Sequence, residues 1–173
     1  MNQEKVVNHI SQWLKDYAQK AGCQGFVVGI SGGIDSALSS TLAARTGLSL
    51  TCVDMPIHQH PEQVDRGQRH IRWLQEHFEQ VTFQQVDLGP TYDSLVHSLP
   101  EASGPSREMS LVNTRARLRM TTLYYFAGLE GKLVAGTGNK VEDFGVGFYT
   151  KYGDGGVDLS PIADLLKTEV YEL

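Results

Sequence analysis

The stretch Gly25-Phe26-Val27-Val28-Gly29-Ile30-Ser31-Gly32-Gly33-Ile34-Asp35-Ser36 determines the expected fold. Its first half is a short apolar run, which is typical of a strand buried on both faces of a parallel sheet. Its second half is rich in glycine and precedes a helix expected from about Asp35 to Arg45. Glycines let the backbone approach an anion closely, and the N–H groups at a helix N-terminus add positive potential. The stretch therefore predicts a strand, an anion-binding loop and a helix in succession.

The same alternation of strands and helices extends over the rest of the chain. An opening helix is indicated by apolar residues at helical spacing between Val6 and Tyr17. A helix is expected to begin at Pro61. After a loop over 100–106, another helix is expected, capped by Ser106 and extending to about Ala127. Further strands are expected at 48–55, 81–88 and 133–135. This order predicts an α/β fold, a parallel sheet flanked by helices, in one domain over residues 1–173.

Composition excludes several classes of function. Acidic residues outnumber basic ones, 20 against 15, which disfavours a general nucleic-acid binder or a protein attracted to anionic membranes. No apolar run approaches the roughly 20 residues that span a bilayer. Cys23 and Cys52 alone form no disulfide framework, so we expect free thiols in a reducing cytoplasm.

The loop of residues 31–36 has the chemistry of a phosphate site. The hydroxyls of Ser31 and Ser36 can donate to phosphate oxygens. Asp35 would repel a phosphate unless it holds a bridging Mg²⁺ ion. The loop matches neither the Walker pattern nor the dinucleotide fingerprint. A glycine-rich turn with an ordinary serine cap is the simpler alternative.

A second carboxylate is expected to meet Asp35. Glu142 lies in the loop that follows the predicted strand at 133–135, and ligands of open parallel sheets gather beyond the carboxyl ends of the strands. Glu142 is therefore a candidate partner of Asp35 on Mg²⁺, although taken alone it would more often be a solvated surface acid. The seven glycines between Gly136 and Gly156 indicate a backbone shaped around a ligand, or a flexible lid.

Two motifs carry a resemblance to a known family. The loop at 31–36 resembles the Ser-Gly-Gly-x-Asp-Ser loop of the PP-loop ATP pyrophosphatases, which have a Rossmann-like fold. The stretch Phe148-Tyr149-Thr150-Lys151-Tyr152-Gly153-Asp154-Gly155-Gly156-Val157-Asp158 closely resembles a segment of the NAD synthetases. The resemblance covers nearly the whole chain. It implies a cytoplasmic homodimeric ligase that uses ATP and Mg²⁺ to amidate deamido-NAD with ammonia through an adenylate, with the substrate site at the dimer interface.

The resemblance also implies roles for individual residues. Those expected to bind ATP are Gly29, Ile30, Ser31, Gly32, Gly33, Ile34, Asp35, Ser36, Thr137 and Lys167. Those expected to bind Mg²⁺ are Asp35 and Glu142. Those expected to bind deamido-NAD are Arg117, Lys151 and Asp158. No residue is expected to act as a nucleophile.

Three arginines on one predicted helix have different expected roles. Arg117 aligns with Asn113 and Thr121 in a polar row that either faces the substrate or is solvated. The family resemblance favours the substrate for Arg117, whereas Arg115 and Arg119 are expected to make surface or interface ion pairs. His58 and His60 are expected to be exposed loop residues, since no further ligand lies at metal-binding spacing.

The sequence also departs from the family. Residues 55–59 replace an Arg-Leu-Pro-Tyr-Gly stretch whose arginine reaches ATP, and Thr137-Gly138-Asn139-Lys140 differs from the Thr-Asp-His form. The chain ends inside a predicted helix at Leu173, and family members continue past this point, so we expect a truncated domain. Two alternative functions therefore stay open: another PP-loop ligase, and a truncated ATP-binding module without turnover.

Overall fold

A parallel four-stranded sheet forms the centre of the molecule in a computed structural model that describes residues 2–173. The order of the strands is β3-β2-β1-β4. The strands are β1 (Gly25–Gly29), β2 (Ser49–Asp54), β3 (Val81–Gln85) and β4 (Leu133–Val134). The helices are α1 (Gln3–Lys20), α2 (Ile34–Ala44), α3 (Pro61–His77), α4 (Gly89–Ser98), α5 (Pro105–Glu130) and α6 (Lys167–Glu172), with a π-helical turn at Val141–Gly145. The expected α/β class is confirmed.

Two hydrophobic clusters cover the two faces of the sheet. Successive side chains of a strand point to opposite faces. Phe26 and Val28 of β1 accordingly pack in a cluster with apolar residues of α1, α2, α3 and α6, whereas Val27 packs with α4 and α5. All three side chains are fully buried. The helices therefore flank the sheet on both sides and leave the carboxyl ends of β1 and β4 at one edge. Among residues 2–173, no helix is both long and apolar enough to cross a membrane.

The boundaries of several elements differ from the sequence-based expectation. Pro61 does occupy the first turn of α3, after His60 as its N-cap. Ser106 was wrongly expected to cap α5, because the helix begins one residue earlier, after Gly104. The same helix continues three residues past Ala127, to Glu130, and ends at Gly131 in the left-handed conformation that glycine favours. β3 ends at Gln85, earlier than the expected 88.

Helix α4 is not predicted by the sequence analysis. It contributes Tyr92 to the core below α5, and Leu88 immediately before it is also buried. The apolar positions of this segment have helical spacing, but Gly89 and Pro90 at its start favoured a turn. A proline in the first helical turn is tolerated because the N–H it lacks would be unpaired there in any case.

An ion pair with a buried lysine connects the residue before β4 to the end of α5 and to β2. Lys132 is only 8% exposed, and its Nζ donates to Glu130 Oε2 at 2.5 Å and to Thr51 Oγ1 at 2.7 Å. Thr51 Oγ1 in turn donates to Glu130 at 2.6 Å. Burial by itself would raise the pKa of Glu130, but the hydrogen bonds and the charge of Lys132 outweigh it, so the pKa is lowered. The network connects the end of α5, β2 and the residue before β4.

Replacing Glu130 with Gln should destabilise the protein, because it leaves Lys132 buried without a counter-charge. We expect the free energy of unfolding, measured by urea denaturation, to fall by about 2–3 kcal/mol. Asp65→Asn is the matched control, since the Asp65–Arg69 pair has both side chains largely exposed and should contribute less than about 1 kcal/mol. Equal effects of the two substitutions would contradict the role given to the buried pair.

Candidate active site

The loop between β1 and α2 is held by its own serines and by α3. Ser36 Oγ donates to the carbonyl oxygen of Gly33 at 2.9 Å, and Ser31 Oγ lies 3.2 Å from Ser36 Oγ. Gly32 has a φ of 78°, and a Cβ atom there would lie 2.2 Å from the carbonyl oxygen of Gln63 in α3. Only glycine fits this position. These contacts fix the shape of the loop, and α2 begins within it, with Gly33 as its N-cap.

Asp35 and Glu142 meet around one cation. The Lys167 ammonium forms an ion pair with Asp35 Oδ2 and a second one, at 3.3 Å, with Glu142 Oε1. The other oxygen of Asp35 accepts a hydrogen bond from Asn139 Nδ2 at 3.0 Å. Asn139 is fully buried, and its Oδ1 accepts from the backbone N–H groups of Val141 and Glu142. Asn139 was not singled out from the sequence, yet it fixes both acids of the predicted pair.

The charges of Asp35 and Glu142 stabilise the Lys167 ammonium between them. Its partial burial alone would lower the pKa of Lys167, but the hydrogen bonds and charges of Asp35 and Glu142 outweigh that effect and raise the pKa. Two carboxylates that converge on a single positive charge, next to an anion-binding loop, are the donor set that Mg²⁺ prefers when phosphate oxygens complete its ligands. The residues present therefore fit a magnesium ion shared by Asp35 and Glu142.

The glycine-rich segment packs along the polar row of α5. Arg117 Nε donates to the carbonyl oxygen of Lys151 at 3.2 Å, and Thr150 Oγ1 donates to Asn113 Oδ1 at 2.7 Å. Two members of the polar row, Asn113 and Arg117, therefore contact this segment, whereas Thr121 is exposed. Arg117 and Lys151, both expected to bind the same substrate, lie next to each other and are exposed.

Asp158, the third residue expected at the substrate, lies apart from this pair, beside β4. Its carboxylate accepts from Val134 N at 2.8 Å and from Tyr124 Oη at 3.0 Å. Burial, the hydrogen bond to Asp158 and its negative charge together raise the pKa of Tyr124 to about 12. Asp158 thus fixes the segment after β4 through bonds of its own.

A cavity of about 520 Å³ lies between the loop, α5 and the glycine-rich segment. One wall contains Gly29, Ile30 and Ser31, and another contains Gly136 and Thr137. Most of the remaining lining is apolar. Thr137, expected at ATP, therefore opens onto the same space as the start of the loop, and the cavity has the size of a small-molecule site.

Within residues 2–173, neither Arg115 nor Arg119 forms the surface ion pair that was one of the two expected possibilities. The Arg119 Nε atom donates to the carbonyl oxygen of Met55 at 3.1 Å, and its side chain lines the cavity. The Arg115 guanidinium lies 4.9 Å from the ring centroid of Tyr92, a cation–π contact. Both side chains therefore turn from α5 towards the rest of the molecule, where Arg115 Nε is buried without a hydrogen-bond partner among the described residues.

The two loop histidines have neighbours of their own. His58 Nε2 lies 2.8 Å from Asp93 Oδ1, with His58 at a positive φ of 53°. His60 Nδ1 accepts from the N–H of Glu62 as the cap of α3. In the described part of the chain, no group of three or more His, Cys, Asp or Glu residues could hold a metal ion.

The parallel sheet with a Ser-Gly-Gly-x-Asp-Ser loop after its central strand defines an α/β protein of the PP-loop ATP pyrophosphatase type. The family model described as NAD synthase matches residues 6–173. The chain belongs to the NAD synthase family.

Individual relatives agree with this assignment. The NH(3)-dependent NAD(+) synthetase of Carboxydothermus hydrogenoformans is 40% identical over 99% of this chain and 69% of its own length. That of Methanosarcina acetivorans is 40% identical over 100% of this chain and 66% of its own. The structure of an NMN synthetase from Francisella tularensis superimposes with a TM-score of 0.91 at 31% identity, over 100% of this chain and 69% of that one. The chain thus spans about two thirds of the length of these proteins.

Replacing Lys167 with Met should strengthen the binding of a divalent cation in the absence of nucleotide. The ammonium lies between the two carboxylates and competes with any other cation for them. We expect the dissociation constant for Mn²⁺ alone, followed by electron paramagnetic resonance, to fall about ten-fold. Lys140→Met is the matched control, since Lys140 is exposed and pairs with neither acid, and it should change the affinity less than about two-fold. Unchanged Mn²⁺ affinity in the Lys167 variant would contradict the shared site.

Proposed function

We propose that the chain catalyses the amidation of deamido-NAD by ammonia, with ATP and Mg²⁺, to give NAD, AMP and pyrophosphate. The observation that carries this proposal is the meeting of Asp35 and Glu142 around one cation, beside a phosphate-type loop, in a member of the NAD synthase family. A carboxylate is a poor acyl donor, so a ligase of this kind must first attach a good leaving group to it.

The loop and the two acids are proposed to hold ATP. Residues 29–36 wrap the phosphates with backbone N–H groups, the hydroxyls of Ser31 and Ser36, and the N-terminus of α2. Thr137 and Lys167 contribute a hydroxyl and an ammonium from the neighbouring strand end and from α6. Mg²⁺ held by Asp35 and Glu142 would neutralise charge on the phosphate oxygens. When Mg²⁺ and ATP bind, the ion would take the place of Lys167 between the acids, and the ammonium can then pair with a phosphate.

The reaction then proceeds in two displacements. An oxygen of the nicotinate carboxylate attacks the α-phosphorus of ATP, and the bond to the bridging oxygen breaks, so pyrophosphate leaves with the electron pair. Ammonia attacks the acyl carbon of the resulting adenylate, AMP leaves with the electrons of the carbon–oxygen bond, and a proton passes to solvent. Neither step needs a nucleophile from the protein. The protein's contribution is to position the reactants and stabilise charge on phosphate.

The acceptor is proposed to bind along α5 and the glycine-rich segment. Deamido-NAD carries a pyrophosphate and a nicotinate carboxylate, and Arg117 and Lys151 are adjacent, exposed cations that suit these anions. The main role of Asp158 is proposed to be the alignment of the segment after β4, and its exposed position leaves it able to accept from a ribose hydroxyl.

The protein is proposed to act as a cytoplasmic homodimer built from single NAD synthetase-like domains. Tyr125 and Leu129, one turn apart on α5, are exposed at 64% and 69%. Exposed apolar surface of this kind favours a protein–protein contact. Cys23 and Cys52 are free thiols, which suits a reducing compartment.

Nicotinate mononucleotide is a second candidate acceptor. The Francisella protein, with its TM-score of 0.91, is an NMN synthetase. The chemistry would be the same, because the reacting carboxylate is identical and only the adenylyl half of the acceptor is missing. Turnover measured with each acceptor separately, at equal concentrations, decides between them.

Replacing Asp35 with Asn should abolish Mg²⁺-dependent turnover and leave the fold intact. The substitution removes one charge of the cation site but keeps the side-chain volume. Formation of AMP and NAD in the presence of ATP, Mg²⁺, ammonia and deamido-NAD should fall at least about 100-fold. Asp65→Asn should keep the native rate and serves as the control, since Asp65 is an exposed acid of α3 whose carboxylate pairs with Arg69.

Three results would contradict the proposal. Full activity of the Asp35 variant would remove Asp35 from the metal site. ATP binding by the native chain without turnover of either acceptor would favour an ATP-binding module. AMP release that depends on some other acceptor would favour a different PP-loop ligase.

A further inference from the structure

Arg119 is a cationic side chain that lines the cavity and forms no ion pair within residues 2–173. Of the described residues that line the cavity, Arg119 is the only lysine or arginine. Its Nε donates to the carbonyl oxygen of Met55 at 3.1 Å and its Nη2 to Gln59 Oε1 at 3.4 Å. Its Nη1 makes no hydrogen bond within residues 2–173. The side chain is therefore anchored from one side and has donors to spare on the other.

The charges around Arg119 leave its positive charge incompletely balanced. Burial and the repulsion of Arg115 lower the pKa of Arg119, and the attraction of Asp54 offsets them only in part. Asp54 makes no ion pair with it and accepts a hydrogen bond from Gln85 Nε2. Asp154, the acid in the lining of the cavity, accepts from the N–H of Thr150 and is likewise not paired with Arg119. A half-buried cation in such surroundings gains free energy from an anionic ligand.

The position of Arg119 identifies which anion this is. Met55 and Gln59, its anchors, follow β2, whereas the acids and Lys167 lie beyond β1 and β4. The segments after β2 and after β4 are on opposite sides of the loop, since β1 lies between β2 and β4. One cavity is lined both by Ser31 of the loop and by Met55 and Gln59 after β2. It therefore offers room for the α-phosphoryl group and adenosine of an ATP molecule whose terminal phosphates lie at the acids and the loop.

We propose that Arg119 binds the non-bridging oxygens of the α-phosphoryl group of ATP and stabilises them during transfer to the acceptor. The proposal rests on the proposed function and adds a catalytic residue to it. As the carboxylate oxygen bonds to the α-phosphorus and the bond to the departing pyrophosphate breaks, negative charge stays on these oxygens. A guanidinium already fixed by Met55 stabilises this charge without first reorganising.

Equilibrium binding to the whole chain, measured by calorimetry, tests the proposal without any need for turnover. The ligands are ATP with Mg²⁺, AMP and adenosine, and the variant is Arg119→Met. The affinity for ATP and for AMP should fall about thirty-fold, whereas that for adenosine should change less than about two-fold. If Arg119 had a purely structural role, its replacement would weaken the binding of all three ligands equally. The ratio of AMP to adenosine affinity is therefore the decisive quantity.

Two further variants complete the design. Arg119→Lys retains the charge and should recover part of the lost AMP affinity, and it replaces the Met variant should that one fail to fold. Arg107→Met, on the same helix but outside the cavity lining, should bind all three ligands like the native chain. Unchanged AMP affinity in both Arg119 variants, or an equal loss for AMP and adenosine, would overturn the proposal while leaving the proposed function standing. A native chain that binds no ATP would overturn both.

Discussion

The site depends on one electrostatic constraint, the attraction of Asp35 and Glu142 to a common positive charge. The two acids come from different loops of the chain, and without a cation between them like charges would repel. Lys167 supplies that cation and ties the start of α6 to the ends of β1 and β4. Asn139 strengthens the arrangement by bonding to Asp35 and to the backbone N–H of Glu142. The loop, the second strand end and the last helix are therefore positioned by a single cluster.

The cluster lies where general rules for parallel sheets place ligand sites. Strand β1 lies in the middle of the sheet between β2 and β4, so the segments after these strands all open at one edge. Helix α5 closes the space above that edge, and the glycine-rich segment covers it from the side. Apolar burial on both faces of β1 fixes this geometry, since Phe26, Val27 and Val28 have no exposed surface. The packing of β1 thus fixes the position of the loop that contains Asp35.

The sequence predicted those features that depend on local pattern. The apolar run of β1 and the glycines after it identified the loop, and the rule on strand ends joined Asp35 to Glu142 across 107 residues. Helix α4 is not predicted, since it begins with Gly89 and Pro90, residues typical of turns, and its apolar residues are buried in a cluster formed with α5 and the sheet. Lys167 was expected at ATP, but no local pattern places its ammonium between the acids. Arg119 was misjudged for a similar reason, since its main partner is a backbone carbonyl 64 residues away.

The most direct test is a crystal structure with Mn²⁺ and a non-hydrolysable ATP analogue, in which anomalous scattering locates the ion. The account predicts one strong peak within bonding distance of an oxygen of Asp35, an oxygen of Glu142 and a phosphate oxygen, with the Lys167 ammonium displaced towards the phosphates. An ion bound to neither carboxylate, with Lys167 still between the two acids, would contradict it.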